Sequence, residues 1–207
     1  FIGPEYKNNE VLDELNKRSI KFIELLNPAK DVAKLISDGE IIAVFNGRME
    51  FGERALGNRS ILADPRSAHI KDKLNACVKF REPYRPYAPS ILAQHGDQYF
   101  ENYVDTPYME RVLFFKEEMK NKIPGVVHAD GTGRLQSVDA TLNTKYALLL
   151  NSFYELTAIP MLLNTSFNVM GKPMIHSIED AISVFYTSQI DLLVIDNHVF
   201  EKDSAQQ

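Results

Sequence analysis

The chain is 207 residues long, with 44% hydrophobic and 10% aromatic residues, enough apolar material to build one large domain around its own core, so disordered and fibrous classes are excluded. Its formal net charge is −5, which leaves no bulk field to attract a polyanion and disfavours a general nucleic-acid binder. Residues 48–85 run against that balance with six Arg and three Lys against five acids, a local surplus where something anionic is expected.

From the N-terminus, Val11, Leu12, Leu15, Phe22, Ile23, Leu25 and Leu26 recur at helical spacing until Pro28 and predict helices within residues 9–27. A further helix is expected over residues 31–38, ended by Gly39, ahead of a buried strand over residues 41–45. Gly47, Gly52 and Gly57 then punctuate an irregular stretch before Ser60-Ile61-Leu62, and a short helix is expected around residues 67–76. Pro83, Pro86 and Pro89 keep the next segment extended, because each fixes φ and denies a helix its N–H. Short strands are expected over residues 112–115, 126–129 and 135–138, then a helix over 143–156 and a buried strand over 161–163. Ser177 with Asp180 opens a helix over residues 178–188, and a buried strand over 192–195 follows. This alternation predicts an α/β (α+β) fold with a mixed sheet and packed helices.

The longest charge-free run is interrupted by Pro160, Asn164 and Asn168, so no bilayer-spanning segment is expected, and no secretory signal is visible. A lone Cys77 excludes a disulfide within the chain and a multi-thiolate metal site, and fits a reducing compartment such as the cytoplasm. A first residue of Phe, followed at once by Ile-Gly-Pro, reads as the interior of a longer polypeptide.

Four segments carry chemistry. Residues 47–60, directly after the first buried strand, combine three glycines with Arg48, Arg54 and Arg59, whose guanidinium forks suit phosphate or carboxylate; a surface loop pairing these arginines with Glu50, Glu53 and Asp64 is the competing reading. In residues 78–90, an extended Lys79-Phe80-Arg81 would turn both cations to one side and the ring to the other, while prolines lower the entropy cost of holding them; a solvated edge strand is the alternative. Residues 128–136 hold an Asp-Gly-Thr-Gly turn followed by Arg134 and Gln136 on one strand face. His128 and Asp130 have the spacing of a metal pair without a third ligand nearby, so a hydrogen-bonded structural role is expected and no metal. Residues 164–168, Asn-Thr-Ser-Phe-Asn, place two carboxamides and two hydroxyls where a buried strand ends, a usual ligand position in α/β sheets, although local capping would use the same residues. Walker A, Gly-x-Gly-x-x-Gly, Gly-x-Ser-x-Gly and Cys-x-x-Cys patterns are absent, so a phosphorylated substrate would be held by side-chain cations and turn amides.

The patterns FGERALGNRSILADPR, LNACVKFREPYRPYAPS, VVHADGTGRLQSV and LLNTSFNVMGKPM, in this order, resemble the C-terminal domain of O-carbamoyltransferases of the NodU, tobramycin and cephamycin type, over about residues 39–197. The resemblance implies a YrdC/Sua5-like fold, a twisted open sheet, occupying residues 39–207, with residues 1–38 a helical lead-in packed on it. It further implies formation of carbamoyl adenylate from carbamoyl phosphate and ATP, with Mg2+ on the nucleotide. A Kae1-like N-terminal half of the same polypeptide, holding iron or another transition metal, would then pass the carbamoyl group to a hydroxyl acceptor. By motif, Lys79, Arg134, Ser166 and Asn168 carry the catalytic signature, and Arg54, Arg81, Arg59, Thr132 and Asn164 are the expected substrate-binding residues. Glu53 departs from the family, which often has proline there. A homodimer is compatible with this reading; membrane and nucleic-acid partners are not expected. Two competing functions are a noncatalytic nucleotide- or anion-binding module and, more weakly, an RNA-binding domain.

Overall fold

The computed structural model describes residues 1–202, so the last five residues of the expected domain, 203–207, lie outside the described residues. In chain order the main elements are α1 (Asn8–Lys17), β1 (Ile23–Glu24), α2 (Pro28–Ser37), β2 (Ile42–Phe45), β3 (Arg59–Ala63), α3 (Ile70–Leu74), β4 (Ala88–Leu92), α4 (Gly96–Tyr99), β5 (Arg111–Phe114), α5 (Glu117–Lys120), β6 (Thr132–Val138), α6 (Thr144–Thr157), β7 (Met161–Ser166), α7 (Ile178–Thr187), β8 (Leu192–Ile195) and β9 (His198–Glu201). The strands form one sheet in the order β1-β9-β8-β2-β3-β7-β4-β6-β5. It is mixed: β2–β8 and β4–β6 run parallel, and the other pairs are antiparallel.

Local chemistry accounts for the element ends. Pro28 is the first residue of α2, where a missing N–H costs nothing, and Gly39 leaves that helix with φ 102°. The Asn143 carboxamide accepts from Tyr146 N at the start of α6, and Ser177 Oγ accepts from Asp180 N at the start of α7. β2, β3, β4 and β8 are buried at every position, and Ile42, Ile61, Leu162 and Ile195 have no exposed surface. Val11 and Leu15 of α1 join the same core as Ile36 of α2 and Leu150 of α6.

Three local expectations change. Within residues 9–27 there is one helix, not a longer helical run: Ser19 turns the chain at φ 53° and Ile23 pairs with Val199 as an edge strand. That strand needs β9, whose hairpin with β8 is closed by Asp196 at φ 50°, a conformation Asp tolerates. Residues 126–129 form no strand; Val126 N bonds Ile123 O in a turn, and the fully buried Val126 side chain plugs the core. Lys79-Phe80-Arg81 is not extended. Instead α3 runs on into a π-helical turn, Asn75–Lys79, and Phe80 takes left-handed φ and ψ of 51°. Among the described residues no helix is long and apolar enough to cross a membrane.

Candidate functional site

The π-helical turn explains how a lysine on a short helix reaches the interior. Widening the last turn carries Lys79 inward, where only 3% of its surface remains exposed. Its ammonium donates to Asn168 Oδ1 at 2.8 Å, to Asn168 O at 3.0 Å and to Ser166 O. All three acceptors are formally neutral. Burial first, and the neighbouring Arg81 second, pull the Lys79 ammonium down from 10.5 to about 7.

Arg81 reaches the same space from beyond the turn. Its Nε donates to Asn75 Oδ1 at 2.7 Å, its Nη2 to Pro86 O at 3.3 Å, and its guanidinium lies 4.5 Å from the centre of the Tyr87 ring. The opposite wall comes from β6 and the loop between β2 and β3. Arg134 is half-buried with no hydrogen-bond partner at Nε, and its guanidinium is held below its ordinary value by burial and then by Arg54. Two pairs of like charges, Lys79 with Arg81 and Arg134 with Arg54, therefore border the same space.

The strand end of β7 forms the floor. Asn164 is buried, and its Nδ2 donates to Ala55 O at 3.1 Å, Ser90 Oγ at 3.0 Å and Gln136 Oε1 at 3.2 Å. Gln136 Nε2 donates to Leu56 O at 3.1 Å, so two buried carboxamides fasten the loop that presents Arg54. Ser166 Oγ donates to Asn168 Oδ1 at 2.8 Å, and Asn168 Nδ2 to Lys172 O at 2.8 Å, which fixes the carboxamide that faces Lys79. Around these groups opens a cleft of about 620 Å³. Lys79, Arg54, Arg81, Arg134, Asn164, Ser166 and Asn168 all line it, and Glu53 is the one carboxylate that does. Arg85 also lines it and pairs with Glu82 at 4.0 Å, but among the described residues Lys79, Arg54, Arg81 and Arg134 have no ion pair. Such a surplus is what an anionic ligand would neutralise.

Two of the expected substrate-binding residues stand elsewhere. Arg59 does not line the cleft: its guanidinium, fully buried, stacks 3.5 Å over the Phe45 ring and donates to Asn46 O, Asn58 O and Gly47 O at 2.8, 3.1 and 3.1 Å. Burial lowers it to about 10, offset by Glu50 and Asp196, so it stays charged and acts as a strap across the β2–β3 loop. The loop's second strap is Glu50, whose Oε1 accepts from the backbone N–H of Leu56, Asn58 and Arg59. Thr132 is also absent from the cleft lining; its Oγ1 and N–H both bind Asp130 Oδ1, at 2.7 and 3.0 Å, within the turn that starts β6. His128 does line the cleft, with Nδ1 3.2 Å from Thr132 Oγ1, and burial lowers its titration. Sequence reasoning passed over Asn75 and Tyr87, which lie in the quoted cationic segment but were legible there only as spacers.

The donor set fits an anion and not a metal ion. Among the described residues no three His, Cys, Asp or Glu side chains come together, and the cleft's lone carboxylate shares the lining with five Lys and Arg side chains. A divalent cation here would have to take its ligands from the anion it accompanied.

Comparison with known proteins gives the geometry a context. The family model described as "Carbamoyltransferase C-terminus" matches residues 33–202. Nodulation protein NolNO of Sinorhizobium fredii is 44% identical over 86% of this chain, covering 26% of that protein. Nodulation protein NolO of Bradyrhizobium diazoefficiens is 41% identical over 99% of the chain, covering 38% of its own length. The chain thus spans between about a quarter and two fifths of these relatives. Among solved structures, full-length HypF in a phosphate- and nucleotide-bound form matches 84% of this chain and 25% of its own, with TM-score 0.56 and 19% identity. The structure of P. abyssi Sua5 complexed with L-threonine matches 84% of this chain and 47% of its own, with TM-score 0.56 and 16% identity. These structures share the fold.

Proposed function

The chain belongs to the carbamoyltransferase C-terminal family, and from that premise we propose that its cleft forms carbamoyl adenylate for an O-carbamoyltransferase. The observation that carries this reading is the set of four unpaired cations, Lys79, Arg81, Arg134 and Arg54, around one cleft floored by neutral dipoles. Carbamoyl phosphate and ATP are both polyanions, and joining them requires like charges to be brought together. In balance, water cleaves the carbamoyl–phosphate linkage to give carbamate and inorganic phosphate, and a carbamate oxygen then bonds to the α-phosphorus of ATP as the bond to pyrophosphate breaks, giving carbamoyl adenylate and pyrophosphate. Such a displacement needs charge neutralisation and alignment more than a protein nucleophile. Lys79, Arg81 and Arg134 would clamp phosphoryl oxygens, Arg54 would close over them, and Ser166, Asn164 and Asn168 would orient the carbamoyl group. The shared fold with HypF, whose solved form holds phosphate and nucleotide, supports the reading.

We further read residues 1–38 as a lead-in to a domain over 39–207, a carbamoyl acceptor and metal site in another part of a longer polypeptide, and a cytoplasmic setting. The test is release of pyrophosphate and inorganic phosphate from ATP and carbamoyl phosphate. Release that requires both substrates supports the proposal; binding of both without release favours the noncatalytic module. Ser166→Ala and Asn168→Ala should slow release more than they weaken binding, because dipoles aimed at the reacting group matter most as its charge redistributes.

A further inference from the structure

We infer that Asn75 is the positioning residue of the Lys79–Arg81 cation pair: its carbonyl closes the turn that carries both, and its carboxamide aims Arg81 into the cleft. The inference rests on the anion-cleft reading above and adds a residue that does not itself line the cleft.

Asn75 is 1% exposed, yet none of its side-chain hydrogen-bonding capacity is wasted. Oδ1 accepts from Arg81 Nε and from Tyr87 Oη, each at 2.7 Å, while Nδ2 donates to Pro83 O and Arg85 O, each at 3.2 Å. The assignment of oxygen and nitrogen is forced. An arginine Nε can only donate and a backbone carbonyl can only accept, so the reversed carboxamide would oppose like groups at three of the four contacts.

The backbone of the same residue does a second job. Asn75 O accepts from Phe80 N, which closes the π-helical turn, and from Arg81 N at 3.0 Å. Lys79 sits at the end of that turn and Arg81 two residues on, separated by Phe80 in a left-handed conformation that a bulky residue adopts only when its surroundings enforce it. The enforcement comes from both ends of Asn75.

The two cations depend on this residue differently. Lys79 is gripped independently by oxygens of Ser166 and Asn168. Arg81 has no carboxylate partner, so its direction is set by Asn75 Oδ1, Pro86 O and the Tyr87 ring, and Tyr87 is itself tied to Asn75. Binding Nε and Nη2 to fixed oxygens orients the guanidinium plane and leaves Nη1 for a ligand. Removing the Asn75 side chain while keeping its carbonyl should therefore release Arg81 and leave Lys79 in place.

The test is a double-mutant cycle read by sulfate binding to the purified protein, with the Arg81 Nε–H resonance followed by NMR. Asn75→Ala should weaken sulfate binding about tenfold in the native background and by less than about twofold in an Arg81→Ala background, and should speed exchange of the Arg81 Nε–H. Should Asn75→Ala fail to fold, Tyr87→Phe serves in its place, with a smaller loss of roughly twofold to threefold that again vanishes in Arg81→Ala. Equal losses in both backgrounds would mean a general packing role and overturn the inference, as would no loss with Arg81 still protected. If Arg81→Ala alone leaves sulfate binding untouched, the anion-cleft reading fails and this inference with it; if Arg81→Ala weakens binding and Asn75→Ala does not, only the positioning role fails.

Discussion

Lys79 offers the sharpest test of the cleft, because its charge is held by geometry that favours neither form strongly. Its ammonium is buried, meets only neutral oxygens, and sits beside Arg81, and its pKa is drawn down to about 7. The fraction protonated then falls from roughly nine-tenths near pH 6 to roughly one-tenth near pH 8. Sulfate keeps a fixed charge across that range, so its affinity should drop about tenfold, provided it binds the protonated form. Stability should move the opposite way. The folded-state value lies below the unfolded value of 10.5, so between these limits the unfolded chain binds more protons, and the free energy of unfolding should rise with pH by about 1.4 kcal/mol per unit. Lys79→Met keeps the length of the chain and removes the titration; both slopes should vanish with it. His128 also lines the cleft and burial lowers its titration, so His128→Gln is the control: a slope that belongs to Lys79 should persist in that variant. Calorimetric sulfate titrations and denaturant unfolding at a series of pH values give both slopes. A wild-type affinity that is flat from about pH 6 to about pH 8, or an unchanged slope in Lys79→Met, would refute the argument.

Other expectations follow from the same geometry. Arg134→Ala removes a cation whose Nε lacks a protein partner, and should weaken anion binding about tenfold to a hundredfold with little loss of stability; Arg66→Ala, which breaks a pair with the buried Asp64 away from the cleft, is the control that should leave affinity unchanged by calorimetry. Arg59→Ala should do the reverse: it strips carbonyls of Asn46, Gly47 and Asn58 of their buried donor and the Phe45 ring of its cover, so thermal unfolding should reveal a loss of about 3 kcal/mol or more while the folded protein keeps its anion affinity. Gly57→Ala would place a methyl group 2.4 Å from the Tyr146 ring at a φ of 110°, and should lower the unfolding midpoint by several degrees through strain at the loop that carries Arg54.

How much of this was legible in the sequence depended on whether the signal was local. Buried strands such as β2 and β8 announce themselves as unbroken apolar runs, and α6 and α7 carry both periodicity and capping residues. The β9 hairpin and the β1 edge were hidden, because a short strand is defined by its partner and not by its own pattern. In the cleft, residue type pointed to Lys79, Arg81 and Arg134 as anion-binding groups, and motif placed Ser166 and Asn168 beside them. Arg59 misled for a physical reason. A guanidinium on a glycine-rich loop has the same composition whether it faces a ligand or its own backbone, and only the side of β3 on which it falls decides. Asn75 was missed because a carboxamide's importance lies in the donors and acceptors around it, which come from Arg81, Tyr87, Pro83 and Arg85 only after the proline segment has folded back.

The fold and the proposed chemistry make opposite demands on these cations, and the structure meets both by choosing neutral partners. A buried ammonium or guanidinium left without hydrogen bonds would cost several kcal/mol, whereas pairing it with a carboxylate would satisfy it and spend the charge. Carbonyl oxygens, carboxamide oxygens and an aromatic face provide an intermediate answer: they fix direction and recover part of the lost hydration, yet leave the net charge uncompensated. Burial first, and then repulsion between Lys79 and Arg81 and between Arg134 and Arg54, lowers the proton affinity of one member of each pair. An anion entering the cleft would offset that repulsion in addition to making its own contacts. A carboxylate placed among these cations would offset it in advance: each such substitution should stabilise the fold and weaken the ligand together, and a stabilising change that left affinity intact would show that the repulsion does not act on binding.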